Sequence, residues 1–165
     1  EARYLLATSP PAAALTDLNR AFARHGWDDR FVTMIVAVLD SAAHEAILVN
    51  AGHMAPYLRR ADGQVRAVGD EVTGVPLGVD PDTQYAEFRQ PLEPGDVLIA
   101  FTDGITEAQN AQRDFYGFQR LEASIRSAPG DPIALGRSIL EDVRGFVRDH
   151  RQFDDMCLLC FGRQA

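Results

Sequence analysis

A chain of 165 residues, 46% of them hydrophobic, is long enough for one domain with its own core, so residues 1–165 are read as a single domain. The formal charge of −8 argues against a nucleic-acid or anionic-membrane surface, because no basic patch offsets it. No apolar run approaches the roughly 18 residues of a membrane span and no signal-peptide pattern is present, which makes a cytoplasmic location the expectation.

Residues 1–7 read as helical, with no start signal before them. Ser9-Pro10-Pro11 supplies a cap and first turn for a helix whose apolar positions Ala14, Leu15, Leu18, Ala21 and Phe22 follow three-four spacing, with a stop at Gly26. Trp27 is expected to pack at that helix end. Residues 31–39 form a nearly unbroken apolar run, predicting a central strand covered on both faces. Asp40-Ser41 turns into a hairpin partner at 44–50, followed by an Asn50-Ala51-Gly52-His53 turn. Asp62-Gly63 predicts a hairpin between 57–60 and 65–68. Residues 69–81, punctuated by glycine and proline, predict a long loop of the kind that often binds substrate, and 84–90 alternate as a strand.

The apolar run Val97–Phe101 follows the turn Glu93-Pro94-Gly95-Asp96 and stops at Thr102-Asp103-Gly104, so it reads as a buried strand. Asp103 then lies at the strand's end, where the chain is expected to turn through Gly104. A polar loop leads to a short amphipathic helix at Gly117–Ser127. Asp131-Pro132 opens a last helix with a wide apolar face: Ile133, Leu135, Ile139, Leu140, Val143, Phe146 and Val147. Asp154-Asp155 precedes a final strand at 156–161. The only two cysteines, Cys157 and Cys160, fall in that strand three positions apart and so on opposite faces, which favours buried structural thiols over a redox pair or half a zinc site. The order of elements is α+β, with a largely antiparallel sheet and helices packed on it.

Asp103 ends one strand and Asp154 begins another. If the two strands are antiparallel neighbours, both carboxylates emerge at the same end, a setting that suits Mg²⁺ or Mn²⁺ held by one or two carboxylates plus water and substrate phosphate. Two unrelated turn or cap aspartates are the alternative that spacing alone leaves open.

Residues 96–108, Asp-Val-Leu-Ile-Ala-Phe-Thr-Asp-Gly-Ile-Thr-Glu-Ala, resemble the "GD-hydrophobic run-TDG-x-TEA" segment of the metal-dependent protein serine/threonine phosphatases (type 2C-like), above all their bacterial SpoIIE/RsbU-like branch. Phe31-Val32-Thr33-Met34 resembles that branch's "RFVT" strand, Asn50-Ala51-Gly52-His53 its "NAGH" turn, Pro76-Leu77-Gly78 its "PLG" loop and Phe153-Asp154-Asp155-Met156 its "DD-x-T" ending. Together these motifs cover nearly the whole chain. The resemblance implies a β-sandwich flanked by α-helices, with two Mg²⁺ or Mn²⁺ ions in a cleft at its edge. It assigns Asp103 and Asp154 as metal ligands and catalytic residues, with Asp155, at the neighbouring position, as a further candidate metal ligand. The implied reaction is hydrolysis of phosphoserine or phosphothreonine on a protein by a metal-activated water. The substrate implied is a phosphorylated anti-sigma-factor antagonist of the STAS type, which would couple the reaction to transcription.

The family's first metal-binding element, a "GDVxGHG"-like strand-loop carrying a bridging aspartate, has no match in residues 1–165. The chain is therefore expected to be the larger, C-terminal part of a phosphatase domain, binding one ion weakly at best. A non-catalytic phosphatase-like module that binds a phosphoprotein or senses a signal is the competing expectation. Haloacid-dehalogenase chemistry is excluded because Phe101 stands where the nucleophilic aspartate would be.

Other residues carry lesser expectations. His53 could protonate a leaving serine oxygen, but its turn reads better as structural. Thr102 and Thr106 flank Asp103 and, with Gly104, could support it from behind. Arg113 and Arg120 could meet a phosphate, although no pattern places them in a cleft.

Overall fold

The computed structural model describes residues 9–24, 30–148, 150 and 154–164. The helix expected at 1–7, the stop at Gly26, Trp27 and Phe153 fall outside them. The chain divides into two units, Glu1–Ala55 with Gly69–Pro91, and Pro56–Val68 with Leu92–Ala165.

In the first unit, Pro11 opens helix α1 (Pro11–Arg24) where its missing N–H costs nothing. Ala14 and Leu15 are buried from it, and Leu15 joins Val36, Val49, Ala51, Leu77 and Tyr85 in one apolar cluster. Strands β1 (Met34–Asp40) and β2 (Glu45–Ala51) form the expected hairpin, with the Asp40 carboxylate accepting from the amides of Ala42 and Ala43 in the turn. The sheet is three-stranded, in the order β1-β2-β5, with β5 at Phe88–Pro91.

Two expectations are corrected in this unit. Among the described residues, the run 31–39 is not covered on both faces as a central strand: β1 stands at the end of the order β1-β2-β5, with Leu39 57% and Phe31 63% exposed, and β2 lies between β1 and β5. Val32 leaves the strand to exchange backbone hydrogen bonds with Leu77 instead (3.0 and 2.8 Å). Only the last part of 84–90 is strand. The Tyr85 amide donates to Thr16 Oγ1 on α1 and its hydroxyl to the Val75 carbonyl, so side-chain partners take the place of a ladder there. The long loop is pinned likewise: Asn19 donates to the Asp80 carbonyl and accepts from the Gly78 amide.

The second unit holds a four-stranded antiparallel sheet of order β4-β3-β6-β7, built from β3 (Tyr57–Arg59), β4 (Val65–Ala67), β6 (Val97–Phe101) and β7 (Leu158–Gly162). Strand β6 is central and buried along almost its whole length, as its unbroken apolar run requires. Its Phe101 ring stacks on Tyr57 at 5.7 Å between centroids. A one-turn helix, α2 (Asp103–Thr106), follows β6; then come α3 (Gly117–Ser127) and α4 (Pro132–Val147). The expected cap of α4 forms, with Asp131 Oδ1 accepting from the Ala134 amide at 2.8 Å. Helix α4 lies close on β7: a Cβ on Gly136 would stand 3.5 Å from Cys160 Sγ. The buried Arg59 closes the far end of α3, donating to the carbonyls of Ile125 and Ala128.

Asp96, only 1% exposed, shows why the turn before β6 ends in an acid. Its carboxylate accepts from the Glu93 amide and pairs with Arg60. Arg60→Met would strip the buried carboxylate of its counter-charge. With the Glu93 amide still bonded, the expected loss is about 2 kcal/mol by urea denaturation.

The cysteine expectation also needs correction. Cys160 is on β7 and partly buried, but Cys157 precedes the strand and is exposed. Burial pushes the Cys160 thiol up to about 11. At pH 8 its thiolate fraction is about 0.1%, so a chromogenic disulfide reagent should label Cys157 promptly and Cys160 only on denaturation.

Candidate active site

Strands β6 and β7 pair antiparallel in a register running from Val97↔Gly162 to Phe101↔Leu158. Where β6 ends, Thr102 and Asp103 emerge; at the same end, residues 154–157 lead into β7. The pairing therefore brings the Asp103 and Asp154 segments to one edge of one sheet. Both aspartates and Asp155 are exposed.

The local structure differs from a simple turn at Asp103-Gly104. Asp103 is the first residue of α2, capped by Thr102 in an extended conformation, and Gly104 is helical rather than left-handed. Glycine is required there for another reason. A Cβ on Gly104 would stand 2.5 Å from the Asp155 carbonyl oxygen and 3.0 Å from its carbon, so the 154–155 backbone lies directly on the helix. Thr106, 4% exposed, donates to the Asp103 carbonyl at 3.1 Å and closes the turn from below. Each aspartate is also steadied by its successor: Gly104 N–H donates to Asp103 Oδ1 at 3.0 Å, and Asp155 N–H to Asp154 Oδ1 at 2.7 Å.

Thr102 joins the two segments. Its hydroxyl donates to the Asp155 carbonyl (3.1 Å) and accepts from the Cys157 amide (2.9 Å), while its own amide donates to the Cys157 carbonyl (3.1 Å). These bonds occupy the backbone at 155–157, which explains why β7 starts at Leu158 and not at 156 as expected.

A cavity of about 170 Å³ adjoins Asp154, lined by Gly104, Glu107, Ala108, Gln109, Phe115, Val147 and Met156. Glu107, the residue that ends α2, was not singled out from the sequence as a site residue. A larger cavity of about 780 Å³ has Asn110, Tyr116, Arg120, Asp142, Phe146 and Arg148 in its wall. Arg120 is committed to structure there: its guanidinium sits 4.6 Å over the Phe146 ring and donates to the Phe115 carbonyl. Arg113 holds a positive φ of 64° in the preceding turn.

His53 belongs to the other unit. Asn50 bridges its turn, accepting from the His53 amide at 2.8 Å and donating to the His53 carbonyl at 3.0 Å, and the ring Nδ1 lies 3.2 Å from Thr33 Oγ1. Gly52, at φ 65°, leaves room for Pro76, whose ring a Cβ would meet at 2.5 Å. The motifs at 50–53 and 76–78 thus meet in one packed corner of that unit.

The donor chemistry suits a hard divalent cation, since Asp103 and Asp154 offer carboxylate oxygens. Among the described residues, no group of three or more His, Cys, Asp or Glu side chains is gathered as a complete protein-supplied metal shell. Two carboxylates completed by water and phosphate are the kind of set that Mg²⁺ or Mn²⁺ accepts.

Antiparallel sheets flanked by helices match the fold of PP2C-type phosphatases, and solved structures of that class superpose on this chain. The model of the Stage II sporulation protein E (SpoIIE) family matches residues 2–164, and the chain belongs to that family. Among curated relatives, it is 26% identical to Protein IcfG of Synechocystis over 139 residues, covering 84% of this chain and 22% of the relative. It is 32% identical to the phosphoserine phosphatase RsbU of Bacillus subtilis over 100 residues, covering 60% and 29%. The chain therefore spans less than a third of either relative. The RsbU and RsbW domains of Rv1364c from Mycobacterium tuberculosis match at a TM-score of 0.75 and 28% identity, covering 96% of this chain and 43% of that one. The manganese-presoaked phosphatase domain of B. subtilis SpoIIE shares the fold at 0.68 and 18% identity, covering 99% and 71%.

Gly104→Ala would force the 154–155 backbone off α2. The expected cost is about 1–3 kcal/mol in urea denaturation, as for overpacking elsewhere, with the Val97–Phe101 core intact by circular dichroism.

Proposed function

We propose that residues 1–165 form part of one metal-dependent protein phosphatase domain that hydrolyses phosphoserine or phosphothreonine on a protein substrate. The observation that carries this reading is the convergence of the Asp103 and Asp154 segments at one edge of the β6–β7 pair. Family membership supports phosphatase chemistry, and the likeness to RsbU, named a phosphoserine phosphatase, supports the serine/threonine class. A phosphorylated STAS-type anti-sigma-factor antagonist is the proposed substrate, supported by the likeness to RsbU and to a chain that carries RsbU and RsbW domains together.

Asp103 and Asp154 would hold Mn²⁺ or Mg²⁺ through their carboxylate oxygens, with Asp155 adding negative charge beside them. When bound, a divalent ion supplies charge neutralisation at the phosphoryl oxygens and brings the pKa of a coordinated water toward neutrality. The amides of Gly104 and Asp155 fix the planes of the two carboxylates, limiting the reorganisation needed to engage a cation. Asp103, Glu107, Asp154 and Asp155 together repel a bare phosphate, so a cation is what reconciles this edge with a phosphorylated substrate. A non-catalytic module that binds a phosphoprotein is the second reading. The observation behind it is that, among the described residues, Asp103 and Asp154 are not gathered with a third His, Cys, Asp or Glu side chain into a group that could hold an ion.

Manganese-dependent hydrolysis of p-nitrophenyl phosphate separates the two readings. It would be measured for the chain, for the longest native form containing it, and for Asp103→Asn and Asp154→Asn in that form. The phosphatase reading expects turnover that needs Mn²⁺ and falls at least about 100-fold in either variant. Metal-independent or absent turnover in every form would leave the binding module standing instead.

A further inference from the structure

We propose that Thr102 is a positioning residue for the carboxylate pair, acting through its hydroxyl on the 154–155 turn and not on its neighbour Asp103. The inference rests on the phosphatase reading and adds to it the device that holds the two metal-facing segments in register.

A threonine at a helix N-cap ordinarily turns its oxygen to an amide in the first turn. Thr102 caps α2 with φ −91° and ψ 158°, the usual extended geometry, yet makes no such bond. Its hydroxyl is directed across to the other segment. A hydroxyl has one proton to give and lone pairs to receive. Here the proton goes to the Asp155 carbonyl and a lone pair receives the Cys157 amide, so one oxygen grips the chain on both sides of Met156. The Thr102 amide adds a bond to the Cys157 carbonyl.

The remaining direction is fixed by Gly104, whose bare Cα lets the Asp155 carbonyl rest on α2. Contact with Gly104 stops the turn from moving inward, and the Thr102 hydroxyl stops it from lifting away. The two restraints hold the backbone that carries Asp154 against the segment that carries Asp103. Threonine's branched Cβ also restricts χ1, keeping the hydroxyl on this side.

The test is direct Mn²⁺ titration by calorimetry on the longest native form, with activity against Mn²⁺ concentration followed in parallel. Thr102→Val keeps the shape and removes the hydroxyl; Thr102→Ser keeps the hydroxyl. Thr102→Ala, which introduces no new atoms at this half-buried site, replaces the valine variant should that one not fold. Removing the hydroxyl should weaken Mn²⁺ binding about tenfold or more, and serine should restore it to within about threefold of the parent. A purely structural threonine would lower the melting temperature of the metal-free protein and leave the Mn²⁺ affinity of the folded form unchanged. Parent-like affinity in Thr102→Val, or equal weakening in Thr102→Ser, would overturn the inference while Mn²⁺-dependent turnover in the parent kept the phosphatase reading intact. A parent that neither binds Mn²⁺ nor turns over would overturn both.

Discussion

The β6–β7 ladder is the interaction on which the candidate site depends. It joins Val97–Phe101 to Leu158–Gly162, and each end is fastened by something other than a regular strand pair. At the start of β6, the Gly95 amide bonds to the Arg163 carbonyl and the Arg163 amide to the Asp96 carbonyl. Strand contact is so close there that a Cβ on Gly162 would stand 2.0 Å from the Asp96 oxygen. At the other end, a threonine side chain takes over. Each bond is worth only about 1 kcal/mol net, but a ladder held at both ends cannot slip by one residue without losing them together.

The two ends treat their acids in opposite ways. Asp96 is buried and met by the Arg60 guanidinium and the Glu93 amide, so its charge is compensated inside the protein. Asp103, Asp154 and Asp155 are exposed, and Asp103 and Asp154 each accept from the backbone amide of the next residue. A backbone amide orients a carboxylate without cancelling its full charge. One end of the same strand pair thus consumes its carboxylate in structure, while the other leaves negative charge facing outward.

Local rules made much of this legible in the sequence. Strand β6 and helix α3 form with the expected bounds, Asp131 caps α4, and Asp62-Gly63 makes its hairpin, because each signal is complete within a few residues. The corrections arise where distant side chains capture backbone groups. Thr16 takes the Tyr85 amide and shortens β5, and Thr102 takes the Cys157 amide and delays β7. An apolar run such as 31–39 does not distinguish an outer strand from an inner one, and its first residues leave the ladder altogether, Val32 pairing with Leu77. At the candidate site, the sequence marked Asp103, Gly104 and Asp154 but gave the wrong reason for Gly104. Close approach by a segment far along the chain, unlike a turn, leaves no local trace.

The partners in the β6–β7 ladder are separated by the whole of α3 and α4, so the pairing closes one of the longer loops in its unit. Closing it costs more chain entropy than closing the local β3–β4 hairpin of the same unit. The Asp103 and Asp154 segments come together only where the β6–β7 ladder is formed, and a chain without that ladder lacks the pair. A ligand held jointly by both segments would bind the native state alone. At about 100 times its dissociation constant, it would add about 2.7 kcal/mol to global stability, making occupancy of this edge a report on the integrity of the entire unit.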